Sequence, residues 1–484
     1  MDFRSGPTAN NADGNAPAKA ERGVSIRWLI GSLALSMLLS SLGTSIANVG
    51  LPTLAQVFNA SFQLVQWVVL AYLLAITTLI VSVGRLGDMI GRRRLLLSGI
   101  MLFTTASIGC SVAPTLAWLI AARALQGLGA AIMMALTMAF VAEAVPKERT
   151  GSAMGLLGTM SAIGTAMGPS IGGLLIAGMG WRSLFYINLP LGVLAFVLAC
   201  FYLPEDRQTA NAHRKRFDVT GTVLLALTLA AYALAVTLGH GSFGLVNLGL
   251  LLMAFSIGGV FLLTQSKAES PLIPLAIFRQ STLRAGFIMS ALVTTVVMAT
   301  LVVGPFYLSG ALLLDTTHVG LVMSCGPIIA ALTGVPAGRL VDRFGAHRMA
   351  IAGLVGMAIG TCILPMLPTS FGVPGYIAPL VVITAGYALF QAANNTSVMT
   401  HISADQRGVV SGMLNLSRNL GLVTGASVMG AIFALGSSKN DVINAGPDAI
   451  ATGMRITFAA AAILVFVALA VAATSNGQRN TSEA

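Results

Sequence analysis

Two short stretches decide how this sequence folds. Residues 84–94 read GRLGDMIGRRR and residues 338–348 read GRLVDRFGAHR, with Gly, Arg, Leu, Asp, Gly and Arg at the same places 254 positions apart. The chain is therefore predicted to contain two copies of one structural unit. A second pattern recurs 257 positions later, and it pairs the glycines Gly155, Gly164 and Gly168 with Gly412, Gly421 and Gly425.

The composition places these two units in a membrane. Of the 484 residues, 56% are hydrophobic and 9% are charged, whereas soluble domains are about 45–50% apolar and about 25% charged. This balance excludes a soluble, disordered or coiled-coil protein. The apolar runs are unbroken over roughly twenty residues, which indicates membrane helices rather than alternating β-barrel strands. We therefore predict an all-α polytopic membrane protein.

Fourteen apolar stretches are long enough to cross a bilayer. The repeat predicts that spans one to six and nine to fourteen form equivalent six-helix halves, with spans seven and eight inserted between them. Such internal repeats are typical of alternating-access transporters. The spans are predicted over residues 28–50, 65–84, 95–112, 116–141, 152–178, 183–203, 219–239, 244–264, 285–309, 319–337, 349–368, 376–400, 409–435 and 452–474.

Five segments follow from this count. They are a disordered cytoplasmic amino-terminal segment over 1–27, an amino-terminal six-helix half over 28–203, a linker with the inserted helices over 204–264, a carboxy-terminal six-helix half over 265–474 and a cytoplasmic tail over 475–484.

The positive charges fix the predicted orientation. With the amino terminus in the cytoplasm, 22 of the 27 Lys and Arg fall on the cytoplasmic side, 3 fall outside and 2 lie within spans. This bias agrees with the positive-inside rule. Both termini are therefore predicted to be cytoplasmic, in the cell (inner) membrane. The basic excess reflects topology, so we expect a lipid bilayer and no nucleic acid as partner.

Several motifs resemble those of a known family. Three motifs resemble those of the major facilitator superfamily. The signature between spans two and three comprises Gly84, Leu86, Asp88, Gly91, Arg92 and Arg93. The fourth-span motif comprises Arg123, Gln126 and Gly127, and the fifth-span antiporter motif comprises Gly164, Gly168, Pro169, Gly172 and Gly173. The segments NVGLP at 48–52, QWVVLAYLL at 66–74 and WRSLFYINLPLG at 181–192, with the fourteen spans, resemble its drug/proton antiporter branch. The resemblance covers residues 28–474.

The signature turn has a physical interpretation of its own. Glycine allows backbones to approach, the arginines anchor at anionic headgroups, and Asp88 can pair with a cation or a helix N-terminus. A purely topological anchor is the alternative. The resemblance implies a conformational latch, here against the cytoplasmic start of span thirteen, formed by Gly84, Asp88, Gly91, Arg92 and Arg93 with Gly338, Asp342 and Arg343 from the second copy.

An arginine within a span is costly, by about 2.5–3.5 kcal/mol on insertion scales. We therefore expect Arg123 to face the bundle interior or a wet cavity, with snorkelling to the outer interface as the alternative. The resemblance implies a part in proton coupling, to which we add Glu143 near the inner end of the same span. The glycines and Pro169 of span five allow close helix contact, and the resemblance links them to antiport.

Polar residues at membrane depth are candidates for a substrate cavity, although each could instead bond a neighbouring helix. The strongest group is FQAANN in span twelve, where three amides lie at i, i+3 and i+4 on one helix face. The candidates are Asn48, Tyr72, Gln126, Gln391, Asn394, Asn395, Asn415 and Arg418.

One departure from the family pattern bears on charge. The first span of the family reads Leu-Asp-x-Thr, whereas this chain has Leu42 and Gly43 at the first two places, and none of its 16 acids falls mid-span. Proton coupling would then use Asp88, Glu143, Asp315, His318 or a protonated substrate. We expect neutral or anionic substrates to be favoured over permanent cations.

The sequence predicts a secondary active exporter of small amphipathic compounds, with protons as co-substrate. A facilitator or proton-coupled transporter of a neutral or anionic metabolite is the alternative. No enzyme motif, metal-ligand cluster or P-loop is recognisable, so we expect no catalysis, no metal and no cofactor beyond the proton gradient. We expect a monomer.

The topology can be tested by cysteine accessibility. Arg214→Cys and Arg343→Cys should resist membrane-impermeant thiol reagents applied to intact cells, because both loops are predicted to be cytoplasmic. The outer-loop variant Lys439→Cys should label and serves as the control. Labelling of either inner position from outside would contradict the fourteen-span topology.

Overall fold

The computed structural model of the protein describes residues 26–144, 147–206, 218–238, 244–268, 271, 280–400, 407–437 and 445–480. Within these ranges the chain forms helices and no strand. The predicted amino-terminal segment thus lies almost wholly outside the described residues, as do residues 207–217 of the predicted linker.

Helices occupy the positions of all fourteen predicted spans. Among the described residues, thirteen segments are long and apolar enough to cross a membrane, and the remaining position is a helix of 33 residues, Lys147–Met179. The predicted all-α polytopic membrane fold is confirmed. The helices are α1 Ile26–Val49, α2 Phe62–Ile90, α3 Arg92–Ser111, α4 Leu116–Ala144, α5 Lys147–Met179, α6 Asn188–Tyr202, α7 Val219–Thr237, α8 Leu245–Lys267, α9 Ser281–Phe306, α10 Thr316–Phe344, α11 Ala346–Met366, α12 Gly372–Thr400, α13 Arg407–Thr424 and α14 Pro447–Asn480. Below, the inner end of a helix is the one predicted to face the cytoplasm.

Three spans differ in detail from their predicted form. Span six is divided into Ser183–Tyr186 and α6, because the ring of Pro190 is incompatible with a continuous helix through the carbonyl of Tyr186. Span thirteen continues from α13 through a π-helical turn, Gly425–Met429, into the helix Gly430–Ser437. The last helix runs on to Asn480, so the first residues of the predicted tail are helical.

The two repeated signature stretches form single-residue turns. Gly91 alone separates α2 from α3, and Gly345 alone separates α10 from α11. Their φ angles are +103° and +87°, in the region where only glycine is free of strain. The recurring glycine of the two stretches therefore serves the same backbone role in both halves.

The repeated glycines of spans five and thirteen make equivalent contacts. A Cβ atom placed on Gly164 would lie 2.5 Å from the carbonyl oxygen of Leu38 in α1. A Cβ on its counterpart Gly421 would meet the carbonyl oxygen of Ala291 in α9. Helix backbones approach this closely only where both side chains are small or turned away. Each half thus packs its fifth helix on its first by the same means.

A further pair of equivalent contacts joins the third and fourth helices of each half. A Cβ on Gly129 of α4 would lie 2.8 Å from the carbonyl oxygen of Gly99 in α3, and one on Gly386 of α12 would lie 2.7 Å from that of Gly353 in α11. These glycines are again 254 and 257 positions apart. The duplication therefore extends to the helix packing.

The inserted helices α7 and α8 lie across the two halves. Trp67 of α2 donates its indole N–H to Thr237 of α7 at 3.2 Å, and Leu225 and Leu229 of α7 share a buried apolar cluster with Met413 of α13. The inserted pair therefore covers one seam between the halves.

Replacing a contact glycine should destabilise its half, and α11 offers a matched control. In Gly353→Ala the new methyl would lie 2.5 Å from the backbone nitrogen of Phe390, which cannot move aside, so we expect a loss of about 1–3 kcal/mol. In Gly356→Ala the nearest atom would be at 3.5 Å, an ordinary contact. Thermal unfolding of the detergent-solubilised protein measures both. Equal melting temperatures for the two variants would contradict the packing argument.

Candidate functional site

The guanidinium of Arg123 is enclosed in the amino-terminal half. Its side chain has 0% exposed surface. It donates three hydrogen bonds: from Nε to the carbonyl oxygen of Val68 at 2.9 Å, from Nη1 to Oε1 of Gln126 at 2.6 Å, and from Nη2 to the carbonyl oxygen of Gly43 at 3.0 Å. The group therefore points into the bundle and away from the outer interface.

Two neighbours extend this buried network over four helices. The Arg123 guanidinium lies 4.1 Å from the ring centroid of Tyr72, whose hydroxyl donates to the carbonyl oxygen of Ser40 at 2.7 Å. The amide of Gln126 donates to Ser107 of α3 at 2.7 Å. A cation over an aromatic face is stabilised by the ring quadrupole. Among the described residues, the charge is thus met by neutral oxygens and a ring, with no carboxylate bonded to it.

Gly43 explains part of this arrangement. Its carbonyl oxygen accepts from Arg123, and a Cβ at this position would lie 2.9 Å from the Tyr72 hydroxyl and 3.3 Å from the Phe103 ring. A side chain here would have to shift the Tyr72 hydroxyl. Glycine at the place of the family's first-span carboxylate thus leaves room for the hydroxyl of the tyrosine whose ring lies beside Arg123.

The amino-terminal cavity candidates lie in the same interior. Asn48, Tyr72 and Gln126 all have 0% exposed surface. The Asn48 amide donates to the carbonyl oxygen of Thr44 at 3.0 Å, within its own helix. In this conformation each of the three is enclosed by the neighbouring helices, and their assignment to a substrate cavity stays a prediction.

The carboxy-terminal candidates are arranged differently. Arg418 of α13 donates from Nη2 to Oδ1 of Asn395 at 2.7 Å. With the Gln391 amide oriented to satisfy both neighbours, its oxygen accepts from Nη2 and Nη1 of Arg418 at 3.0 and 3.3 Å, and its nitrogen donates to the Tyr387 hydroxyl at 2.9 Å. All four side chains of this polar cluster keep some exposed surface, as does that of Asn415. The structure thus brings Gln391, Asn395 and Arg418 together.

Asn394 is separate from the polar cluster. It is 3% exposed, and its amide donates to the carbonyl oxygen of Gly286 in α9 at 3.1 Å. Of the three amides predicted to share a helix face, this one bonds a neighbouring helix, which is the alternative that the sequence left open.

The first signature turn is tied to the end of span six. The carboxylate of Asp206 accepts from the backbone amides of Arg93 at 2.8 Å and Arg94 at 3.2 Å, at the N-terminus of α3. Arg93 also donates to the carbonyl oxygen of Cys200 at 2.6 Å. A carboxylate at a helix N-terminus is favoured by the free amides and the helix dipole. Sequence analysis missed Asp206, because nothing local marks the acid after span six as a partner of a turn 113 residues away.

Among the described contacts, no carboxylate accepts from the backbone amides of the second signature turn. A Cβ placed on Gly345 would have no atom within 4 Å. Asp342 and Arg343 are exposed, and the Arg343 guanidinium lies 5.2 Å from the centroid of the Phe344 ring. Gly84 and Gly338 are likewise open. The side chains of Asp88 and Glu143, and the first residues of α13, lie outside the described part, so the predicted latch partners stay predictions.

The glycine face of α5 contacts both halves. A Cβ on Gly168 would lie 2.8 Å from the backbone nitrogen of Ile46, and one on Gly172 would lie 2.6 Å from Val49, both in α1. One on Gly173 would lie 2.9 Å from the Cα of Gly320 in α10. Next to it, the carbonyl oxygen of Pro169 would meet a Cβ on Gly320 at 2.6 Å. The motif thus packs α5 within its own half and also against the other half, near the outer ends.

An aromatic cluster closes the outer ends as well. Phe62 at the start of α2 makes edge contacts with Phe306 of α9 and Phe433 of span thirteen, with centroids 4.7 and 5.5 Å apart. Beside it, the buried amide of Gln66 donates to the carbonyl oxygen of Ala426 at 3.0 Å, in the π-helical turn. Sequence analysis did not select Gln66, although a glutamine near the outer end of an apolar span is a signal. The two halves therefore touch at their outer ends.

Asp315 and His318 lie at the outer end of α10, beside a cavity of about 360 Å³ between the halves. The backbone amide of His318 donates to the Asp315 carboxylate at 2.9 Å and its ring contacts the same carboxylate at 2.6 Å. The hydrogen bond from the backbone amide, and after it the one from the ring, hold the pKa of Asp315 below its ordinary value. A carboxylate that resists protonation is poorly suited to carry a proton near neutral pH.

A sequence profile of one family matches the chain twice. The profile of the Major Facilitator Superfamily matches residues 33–316 and 286–481, which together cover most of the chain in two successive copies. The chain belongs to the Major Facilitator Superfamily. It is thus a membrane transporter and not an enzyme, and the resemblance seen in its motifs is confirmed.

Relatives in this superfamily differ in what their names say they carry. The chain is 30% identical over 444 residues to the riboflavin transporter RibZ of Clostridioides difficile, covering 92% of this chain and 96% of that one. It is 31% identical over 415 residues to the multidrug resistance protein Stp of Mycobacterium tuberculosis, covering 83% and 74%. In fold it is similar, with a TM-score of 0.68 and 15% identity, to an inward-facing, unoccupied bacterial homologue of the lysosomal transporter Spinster, over 93% of this chain and 96% of that one.

The hydrogen bonds to Asp206 predict that Asp206 and the adjacent Glu205 differ in their effect on the stability of the α2–α3 turn. Asp206→Asn removes a charged acceptor from two backbone amides of this superfamily member and should destabilise the α2–α3 turn by about 0.5–2 kcal/mol. Glu205→Gln should change little, because Glu205 is 94% exposed and 4.0 Å from Arg93. Hydrogen exchange of the α3 N-terminus measures the opening of the turn. Equal exchange in both variants would show that the carboxylate does not hold it.

Proposed function

We propose that this transporter is a proton-driven exporter of small amphipathic compounds that works by alternating access between its two halves. It would lie in the cell (inner) membrane as a monomer, with both termini in the cytoplasm. The observation that carries the coupling part is Arg123, a buried cation held by neutral acceptors. Such a group responds strongly to any charge that enters or leaves its surroundings, because little solvent screens it.

Contacts between the halves support alternating access. They join outer ends through Phe62, Phe306 and Phe433, through Gln66 and Ala426, and through the backbones of α5 and α10. Each half is braced internally by glycine contacts, which favours movement of the halves as rigid bodies. Opening to the outside would require separation of the aromatic cluster, of one buried hydrogen bond and of the α5–α10 backbone contact.

A second candidate function is transport of a neutral or anionic metabolite. It is favoured by Arg418, a partly buried residue whose guanidinium has amide and no carboxylate partners among the described residues, and by the similarity to a riboflavin transporter. Both candidates share the fold and the alternating movement. They differ in substrate and in the direction of net flow.

Reconstitution into proteoliposomes separates the two candidates. The purified protein should move amphipathic drugs against their gradient when a pH gradient is imposed, and collapse of the gradient should stop the movement. Riboflavin should be included in the compound panel. Gradient-independent equilibration of riboflavin, with no drug movement, would favour the metabolite transporter.

Arg123→Lys tests the coupling role. An ammonium group cannot reach the three acceptors on Val68, Gln126 and Gly43 together, and one charged hydrogen bond is worth about 1.5–3 kcal/mol. We expect proton-driven efflux to fall at least about tenfold while gradient-free substrate exchange continues. The exposed Arg182→Lys is the matched control. Full proton-driven efflux by Arg123→Lys would remove Arg123 from the coupling mechanism.

A further inference from the structure

We propose that Arg418, Gln391 and Asn395 form a subsite for a planar anionic group, a carboxylate foremost, on the transported compound. The inference rests on the export function proposed above and names a substrate class for it. It assigns the carboxy-terminal half the recognition of charge, while the amino-terminal half holds the enclosed arginine.

The position of Arg418 on its helix directs it away from the inserted helix α7. Ser417 donates to the carbonyl oxygen of Phe287 in α9 at 2.7 Å, which fixes the face of α13 that meets α9. Leu416 and Leu420 belong to the buried cluster shared with the inserted helix α7. Arg418 is two positions from each of them. Two positions turn a helix by about 200°, which leaves Arg418 about 160° away from these leucines, on the opposite side of α13. Its exposed surface therefore points away from the inserted pair that covers the outside of this seam.

The charge of Arg418 has no counter-ion among the described residues. Its partners are the neutral oxygens of Asn395 and Gln391. A cation within a membrane protein is stabilised by an opposite charge, and without one it pays desolvation. Arg123 lacks a carboxylate too, but it is fully buried and bonded on all three nitrogens. Arg418 differs because it is only partly buried and the described contacts give its Nε–H no acceptor.

The two amides orient the guanidinium for a planar ligand. They accept from Nη1 and Nη2, which holds the plane of the group, and the described contacts leave the Nε–H without an acceptor. The Tyr387 hydroxyl fixes the Gln391 amide in turn. Both hydrogens of Nη2 go to the two amides, so a carboxylate that reaches Arg418 would accept from the pre-positioned Nε–H and would replace an amide at Nη2 to make a two-point contact in the guanidinium plane.

Binding of a matched pair of probes tests the subsite. 2-Naphthoate and 2-naphthamide share a ring system and differ in charge. The purified wild-type protein should bind naphthoate more tightly than naphthamide, and Arg418→Gln should weaken naphthoate binding about tenfold to a hundredfold, the expected effect of losing a charged hydrogen-bond partner. Naphthamide binding should stay near its wild-type value, which also reports that the variant is folded. Arg182→Gln is the control.

Asn395→Asp provides a second variant of nearly identical shape. It places a carboxylate 2.7 Å from Nη2 of Arg418 and so supplies the missing counter-charge within the protein. Preference for naphthoate should disappear in this variant even though Arg418 remains. Arg418→Lys should retain part of the preference, since it keeps the charge and loses the planar donors.

The outcomes separate the subsite from the export function. Equal binding of both probes by the wild type, or an unchanged preference in Arg418→Gln and Asn395→Asp, would overturn the subsite, whatever the efflux assay shows. A preference that depends on Arg418 would support it. If that preference is found and proteoliposomes move no compound under a pH gradient, the subsite stands and the proposed export function fails.

Discussion

Helices in a bilayer gain little from burying apolar side chains against each other, since lipid is equally apolar, so close approach of their backbones has to supply much of the packing. In this protein that approach occurs at glycines, and it occurs twice. Gly164 on α1 has its counterpart in Gly421 on α9, and Gly129 on α3 has its counterpart in Gly386 on α11. These contacts fix the helices of each half relative to one another, and the positions of the site residues depend on that packing.

The two arginines at membrane depth show how the same constraint is met in two ways. Arg123 is surrounded by helices of one half, and carbonyl oxygens, an amide and the Tyr72 ring take its donors and its charge. Arg418 lies on the side of α13 opposite the inserted helix α7, is only partly buried, and has two amide partners. Enclosure suits a group that senses a charge nearby. Accessibility suits a group that meets a ligand.

Departures from the internal symmetry mark where the halves differ in function. The α2–α3 turn is held by Asp206, whereas the α10–α11 turn is exposed at Gly345 and Asp342. Gly173 carries the α5 glycine face across to Gly320 in the other half, next to Pro169. The fifth helix of the first half thus serves both as a brace and as part of the outer closure.

The sequence alone determined the properties that depend on local composition and on counting. Runs of apolar residues fixed the fourteen helices, because each must satisfy its backbone bonds internally. The repeated signature stretches placed turns around Gly91 and Gly345, although only the structure showed that each turn is a single residue, and the cost of a charge in the membrane placed Arg123 in the interior. The chain could be assigned to a transporter fold on these grounds.

The tertiary structure decided which residues the site residues bond. Nothing local could show that Asp206 accepts from the amides of α3 or that the Tyr72 ring lies beside Arg123. Nor could it show that Asn394 bonds α9 while Asn395 bonds Arg418. These pairings join residues far apart in the chain, and each depends on how helices rotate about their axes. Helical periodicity states which residues share a face, but the contacts of that face are set by packing against the neighbouring helices.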